Sequence, residues 1–468
     1  MHHFLTCIAT IFGSLKTLAY IVAAAFLVSS IIVSFIVAKK RNIALLHSSV
    51  EWIEKHHNKL YLVAVLMQIA GMLIAFSLYG IVISPDSSGY IAPAQSFLAQ
   101  GIMLSDNAPI FFRTPGYPLL LALVYSLSDN SNFAVVVVQA LMSIVTGSMI
   151  YSTVKSVSQD KLLSLCSLFL WSFCDLNYYY SCSILTEIPF IFFFILSVFL
   201  GCKYFYSKKP FCYIIFSFLS FNFAMLIRPS IMYLGITLAI LFLFAATFRK
   251  ISWKVALAYL CIFAVSYGGW SLRNYNYYGA PLFTSVRYTS YYLWYAPETY
   301  RIAERSSLDE ASVYFSAQLN EQYPNYDNLS ALEQIYAQAD IGKEYVKKHF
   351  DSYLILNLRG LILEMLSAFG IAIAEAPLLV RFLSYVFSSS LPMLLYVIYA
   401  YGFLKHIRKL TALDWLLFFT NAYLIAGHAV LGYNRFRMSF FATCIIGGLI
   451  SWRSDLLASN SSAQSNID

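Results

Sequence analysis

Residues 60–83 read LYLVAVLMQIAGMLIAFSLYGIVI, and residues 84–118 continue SPDSSGYIAPAQSFLAQGIMLSDNAPIFFRTPGYP. The first part carries no charged side chain and is long enough to cross a hydrocarbon core as a helix. The second part abruptly becomes Ser, Pro, Asp and Gly, which is turn chemistry. Apolar runs like the first recur along all 468 residues, of which 59% are hydrophobic and 12% charged. Mean hydropathy is +0.67, whereas soluble chains are about half apolar and a quarter charged. That excludes a soluble enzyme, a disordered chain and a secreted disulfide module. The 36 Tyr, 38 Phe and 7 Trp would suit an outer-membrane barrel, but barrels need short alternating strands rather than continuous apolar runs. The expected class is an all-α polytopic membrane protein.

Candidate spans are 17–38, 60–83, 133–154, 162–174, 184–202, 211–227, 230–248, 254–270, 383–404, 413–431 and 436–452, about 11 transmembrane helices in all. Lys39, Lys40 and Arg41 follow the first, Lys155 and Lys161 the third, and Lys203, Lys208 and Lys209 the fifth. Arg249, Lys250 and Lys254 join the seventh to the eighth, and Lys405, Arg408 and Lys409 follow the ninth. All fall on one side, which the positive-inside rule makes cytoplasmic. Residues 115–128 are too short for a span and predict a half-inserted helix. Residues 353–373 carry Arg359 and Glu364, which are costly at mid-bilayer, and predict an interfacial helix.

The expected organisation is an extra N-terminal span with its cytoplasmic connector over 1–59, then a transmembrane core over 60–270 with a first outer loop at 84–132. An outer helical cap follows over 271–352, and the interfacial helix and C-terminal spans over 353–468. Within the cap, Ser307 precedes Glu310 and Ser330 precedes Glu333, each with capping-box spacing. The second box opens a long polar-faced helix running to about Phe350, so the cap is folded.

The net charge of +8 reports topology, and no basic block interleaved with aromatics suggests nucleic acid. The eight Cys form no CxxC pair and no metal-ligand spacing. Cys174 and Cys182 flank a short loop and are the one pair that an oxidising compartment would allow to join.

Asp86 stands where the second span leaves the membrane. It either caps the short helix beginning near Tyr90 or serves as a carboxylate that takes a proton from a hydroxyl. Glu187 opens a long apolar helix, where a carboxylate suits the helix dipole. So near hydrocarbon it also calls for a cavity or a partner. Arg113, Arg228, Arg273, Arg435 and Arg437 lie on the same outer boundary, brought there by four segments. One such Arg would be snorkelling to headgroups; five suggest a site for an anionic group, which Arg grips bidentately. His428, alone in its span, is expected to pack against a backbone carbonyl.

Asp86 and Tyr90 in D-S-S-G-Y, Arg113 to Pro118 in R-T-P-G-Y-P, Thr186-Glu187, Arg228-Pro229, Arg273-Asn274 with Gly279, and Arg435 in Y-N-R-F-R occur in order between about residues 60 and 452. This pattern resembles the integral-membrane glycosyltransferases of the GT-C fold. Within them it is most similar to the bacterial members related to protein O-mannosyltransferases and lipid A aminoarabinose transferases. The resemblance implies that Asp86 is the catalytic base and that the donor is a polyprenyl-phosphate sugar. Glu187 would orient an arginine or the sugar, and the arginines and Tyr90 would hold the donor's phosphate and sugar. One departure is that Phe111 and Phe112 precede Arg113, where family members often carry a second acid; either Asp106 takes its place or the acceptor differs.

The sequence therefore implies an inverting transferase in a bacterial inner membrane, with its site on the periplasmic face. The acceptor would be an envelope glycan, lipid or protein. The alternative is a transporter or flippase of a lipid-linked or anionic substrate. Internal repeats and midplane charges would favour that alternative, and neither is seen. No resident cofactor or metal is expected; a divalent ion between Asp86 and a lipid phosphate stays open, with chelator as the test.

Overall fold

The computed structural model describes residues 51–105, 108–367 and 378–453. The expected first span, 17–38, and Asp106 lie outside the described residues. The chain is helical almost throughout. Helix α1 is His57–Tyr79 and α2 Pro85–Gln100. Next come α3 Gly116–Ser128, α4 Asn132–Ser158, α5 Lys161–Ser172 and α6 Asp175–Cys182. Helices α7 Glu187–Ser207, α8 Cys212–Ile227, α9 Met232–Thr247 and α10 Trp253–Tyr278 complete the first half. α10 contains a π-helical stretch, Ala264–Gly268.

Among the described residues, five helices are long and apolar enough to cross a membrane: α1, α4, α7, the run Pro229–Thr247 that contains α9, and α10. α3, α5 and α8 are apolar but shorter. The turns between helices are tight. α4 ends at Gln159 in the left-handed conformation, and α5 begins at once with Asp160 as cap, accepting from the Leu163 amide at 2.7 Å. Each such reversal sends the chain back across the bundle. The basic connectors thus collect at one end, while the turns carrying Asp86, Glu187 and Arg228 collect at the other.

Beyond α10 lies the cap. It comprises a helical run in three pieces, Val286–Ser290, Tyr291–Tyr295 and Ala296–Ala303, together α11, then α12 Leu308–Gln322 and α13 Ala331–Lys348. Both S-x-x-E boxes close: the Ser307 amide donates to Glu310 at 2.9 Å and the Ser330 amide to Glu333 at 2.8 Å. The cap has its own core, in which Phe315, Leu319, Ile341 and Tyr345 pack with partly buried tyrosines.

The stretch expected to lie at the interface begins with α14, Phe350–Leu366, and the rest of 353–373 lies mostly outside the described residues. It is followed by α15 Leu378–Lys405, α16 Ala412–His428 and α17 Met438–Ile450. α17 is buried along its whole length against α15, α16, α7 and α5, and forms the axis of the main core. Cys174 and Cys182 are free, buried thiols, so the pairing that an oxidising compartment would allow is not formed.

Candidate active site

Four turns at one end of the bundle build the site, and each has a local cause. Helix α2 starts at Pro85, five residues before the start expected near Tyr90. Its cap is Ser84, which exchanges hydrogen bonds with Ser87. Asp86 is therefore not the cap. It stands in the first turn with both carboxylate oxygens available for other partners.

Helix α8 stops at Ile227 because Pro229 follows Arg228. A residue before proline is driven out of the helical region, and Arg228 is extended at φ −131° and ψ 113°. This swings its side chain off the helix end into the site. Glu187 is the first residue of α7, on the positive end of the helix dipole, with Pro189 inside the first turn. A parallel bridge between Val82 and Ser183 ties the two acid-bearing turns together. Arg435 lies in a short 3-10 turn, Asn434–Arg437, that enters α17. That turn packs on α14, and so does the chain leading into it: a Cβ on Gly360 would collide with the Ala429 carbonyl at the end of α16, so only glycine allows the approach.

The R-T-P-G-Y-P stretch docks Arg113 onto this frame. A Cβ on Gly116 would come within 2.7 Å of the Leu226 and Ile227 backbone, so the loop lies flat on the end of α8. Tyr117 donates to Gln139 at 2.9 Å, and Gln139 donates to the Ser183 carbonyl at 2.7 Å. This buried relay joins the loop to the turn before Glu187. Gln139 was not singled out in the sequence, although a glutamine inside the run VVVVQALM is a signal in itself.

The assembled cluster is continuous. Arg113 donates to Asp86 Oδ1 at 2.8 Å and to the Tyr90 hydroxyl at 2.8 Å. Arg435 donates to Asp86 Oδ2 at 2.9 Å and, through Nε, to Glu187 Oε1 at 2.8 Å. Arg228 pairs with that same Glu187 oxygen at 3.5 Å. Glu187 is fully buried and Arg228 nearly so, while the Asp86 side chain is 38% exposed. Burial alone would push the Asp86 carboxyl up, but the charges and hydrogen bonds of Arg113 and Arg435 outweigh it and hold the group below its usual 3.8. Arg435, between two carboxylates, is held more firmly protonated still.

The cluster opens into a cavity of about 700 Å³. Its lining includes Asp86, Tyr90, Arg113, Arg228 and Arg435, together with Tyr233, Tyr423, and Arg287 and Trp294 of α11. Two buried polar atoms in the cluster have no hydrogen-bond partner, Arg228 Nη1 and Glu187 Oε2. His428 also lines the cavity; its ring stacks on Phe436, and Nδ1 lies 3.8 Å from the buried Glu364.

The other two arginines go elsewhere. Arg273 is sandwiched by Trp270 and Tyr277, each 4.6 Å away, and donates to the Ile110 carbonyl, pinning the first outer loop. Arg437 is buried and clamps the end of α14 through the Met365 and Ser367 carbonyls at 3.2 and 3.1 Å. Phe111 and Phe112 have structural work as well. Phe111 stacks on Tyr278 at 4.4 Å, and the Phe112 carbonyl accepts from Thr284 at 2.7 Å.

Residues 112–268 match the family model of the dolichyl-phosphate-mannose-protein mannosyltransferases. Over that third of its length the chain is similar to this family of membrane glycosyltransferases. The matched third holds Arg113, Glu187 and Arg228; Asp86, Arg273, Arg435 and Arg437 lie outside it. A crystal structure of ArnT from Cupriavidus metallidurans bound to undecaprenyl phosphate is similar at a TM-score of 0.37 and 9% identity. The likeness covers 84% of this chain and 77% of that one, and is too slight to carry any residue across. Comparison with curated protein sequences gives no match.

Proposed function

We propose that this chain is an inverting glycosyltransferase that moves a sugar from a polyprenyl-phosphate donor to a hydroxyl of an envelope glycan, lipid or protein. The site would face the periplasm across a bacterial inner membrane, opposite the basic connectors.

The observation that carries this reading is the unspent charge at the cavity wall. Three guanidinium groups against two carboxylates leave the cluster one positive charge in excess, matching the single negative charge of a sugar–phosphate diester. Arg228 lines the cavity and meets Glu187 through Nη1 only as a 3.5 Å ion pair, without a hydrogen bond, and leaving a buried charged donor unmade is costly. A phosphate oxygen at that atom would satisfy it.

The acceptor oxygen then attacks the anomeric carbon, and the carbon–oxygen bond to phosphate breaks with its electron pair on the phosphate. The acceptor's proton passes to Asp86. The leaving group gains a second negative charge in this step, so Arg228 and Arg435 bind it more strongly than they bind the donor. That difference is what lowers a barrier. The ion pairs keep Asp86 ionised, and a carboxylate with two donors still has lone pairs free for the incoming hydroxyl. Glu187 holds Arg228 and Arg435 in place, Arg113 and Tyr90 hold Asp86, and Arg273 and Arg437 set the loops on which these stand.

The test is mass spectrometry of the host's envelope glycans and glycolipids, wild type against Asp86→Asn. A species lighter by one sugar, with polyprenyl-phosphate sugar accumulating, is the expected result. Identical profiles from correctly folded protein would turn the assignment to transport, to be checked by flux in vesicles. Repeating the transfer in chelator settles whether a divalent ion takes part.

A further inference from the structure

Helix α14 brings a carboxyl towards the cavity that the transfer chemistry above does not use. Gly360 lets α14 lie against the backbone at the end of α16, and Glu364, four residues on, falls on the same face one turn later. Its side chain is fully buried, and Oε1 stands 3.8 Å from Nδ1 of His428. His428 in turn lines the 700 Å³ cavity. Its ring lies on Phe436, 4.7 Å away and 8° from parallel. The guanidinium groups of Arg228 and Arg435 lie 5.6 Å from that same Phe436 ring. The imidazole therefore shares a ring and a cavity with the two arginines assigned to the phosphate.

The pair has bonds to spare. Among the described residues, Nδ1 and both Glu364 oxygens are buried without a hydrogen bond. A lone ion is costly in such a place, so a net-neutral pair costs least. A neutral pair of carboxyl and imidazole carries two protons. One lies between Oε1 and Nδ1, whichever atom it is bonded to, and the other stays on Nε2. At 3.8 Å the contact is longer than a hydrogen bond, but no hydrogen bond holds the carboxyl back, and contacts of this kind commonly tighten around a ligand. Glu364 thus fixes the tautomer that keeps an N–H on the far nitrogen.

We propose that His428 is a third donor to the departing phosphate, through Nε2–H, and that Glu364 is the residue that positions it. This rests on the donor assignment above. The carbon–oxygen bond breaks with its electron pair on the phosphate, and no proton leaves the histidine. The phosphate's growing charge strengthens the bond from Nε2–H together with those from Arg228 and Arg435. A neutral donor does this without adding to the charge of the cluster, which already matches that of the sugar–phosphate diester.

Glutamine at 428 places an amide nitrogen near the position of Nε2, asparagine places one near Nδ1, and phenylalanine keeps the ring on Phe436 with neither. Wild type, His428→Gln, His428→Asn, His428→Phe, Glu364→Gln and Glu364→Leu are purified. Binding of undecaprenyl phosphate is measured for each, beside undecaprenol, which lacks the phosphate. Product is read by mass spectrometry of the envelope of a host lacking the chromosomal copy. His428→Phe and His428→Asn should lose about tenfold or more in undecaprenyl phosphate affinity, with product falling in step, while His428→Gln stays within a few-fold. Glu364→Leu should lose affinity and Glu364→Gln recover it. Undecaprenol should bind all of them alike.

Wild-type undecaprenyl phosphate affinity in His428→Phe overturns the proposal. An equal loss in His428→Gln and His428→Phe also overturns it, because the ring and not its N–H would then be what counts. A parallel loss of undecaprenol binding marks a packing role and overturns it as well. Should His428→Phe fail to fold, His428→Gln against His428→Asn decides, and equal affinities of those two overturn the proposal. Unaltered affinity in Glu364→Leu removes Glu364 from it. Failure of the donor assignment looks different: wild type itself then does not bind undecaprenyl phosphate, or Arg228→Ala binds it equally well.

Discussion

Two buried arginine–carboxylate clusters sit at opposite ends of the helix bundle. At the connector end, Arg453 grips Asp414 through both nitrogens, at 2.7 and 2.5 Å. Asp414 also caps α16 through the Thr411 amide and hydroxyl, each at 2.7 Å, and is 2% exposed. No buried polar atom of that pair is left without a hydrogen bond. At the site end, Glu187 shares one oxygen between Arg435 and Arg228, its other oxygen is unpartnered, and Asp86 opens onto the cavity. The residue types are the same, but the first cluster is closed and the second has valence to spare. A closed cluster holds helices together, whereas one with unused donors beside a cavity can hold something that comes and goes.

The sharpest break between them should appear in turnover. Asp86→Asn keeps the size of the side chain and removes the base, so transfer by purified protein should fall about 10²–10⁴-fold with folding unchanged. Asp414→Asn should leave transfer within a few-fold while lowering the melting temperature. Equal losses in the two variants would mean that the site-end cluster is structural too.

Glu187→Gln probes the same contrast through stability. It strands the buried Arg228 and leaves Arg435 with Asp86 alone, and breaking such a pair costs about 3–5 kcal/mol. Removing Asp414 from Arg453 belongs in the same range. The difference lies in rescue: undecaprenyl phosphate at saturating concentration should restore part of the melting temperature of Glu187→Gln, since a ligand that binds only the folded state stabilises it. It should restore nothing in Asp414→Asn.

The pH dependence of transfer comes next in size. Because Asp86 titrates below the usual 3.8, its ion pairs contribute stability above the unfolded carboxyl's range and lose it as pH falls through the lower folded value. No acid limb from Asp86 should therefore appear down to the ordinary carboxylate range. Arg113 supplies the largest of the lowering influences, so Arg113→Gln should move the acid limb upward. A limb that stays put would mean that Asp86 does not report in the rate.

How much of this was legible beforehand follows from what each residue depends on. The membrane class came from composition and the long apolar runs, which report local chemistry and need no tertiary information. The capping boxes at Ser307 and Ser330 were readable for the same reason, since both partners lie within one turn. The five arginines could be placed on one boundary but not divided. Whether Arg273 reaches the Ile110 carbonyl or a cavity depends on a loop 163 residues away. The clamp of Arg437 on α14 likewise depends on packing that no local pattern encodes. Asp86 was offered as a helix cap because the start of α2 was placed too late; the Ser84–Ser87 exchange that moves it is a box without an acid.

Tyr90→Phe should have the smallest effect, and it tests how rigid the open cluster must be. The hydroxyl accepts one hydrogen bond from Arg113 at 2.8 Å, and the guanidinium also lies 4.6 Å over the Tyr90 ring. Phenylalanine keeps the ring contact and deletes only the hydrogen bond, worth about 0.5–1.5 kcal/mol. Arg113 remains tied to Asp86 in that variant, so undecaprenyl phosphate affinity should not change. What loosens is the side of Asp86 away from the donor, and the loss should fall on kcat as a drop of a few-fold. A change confined to donor affinity would instead place Tyr90 on the sugar or phosphate, and Arg113 with it.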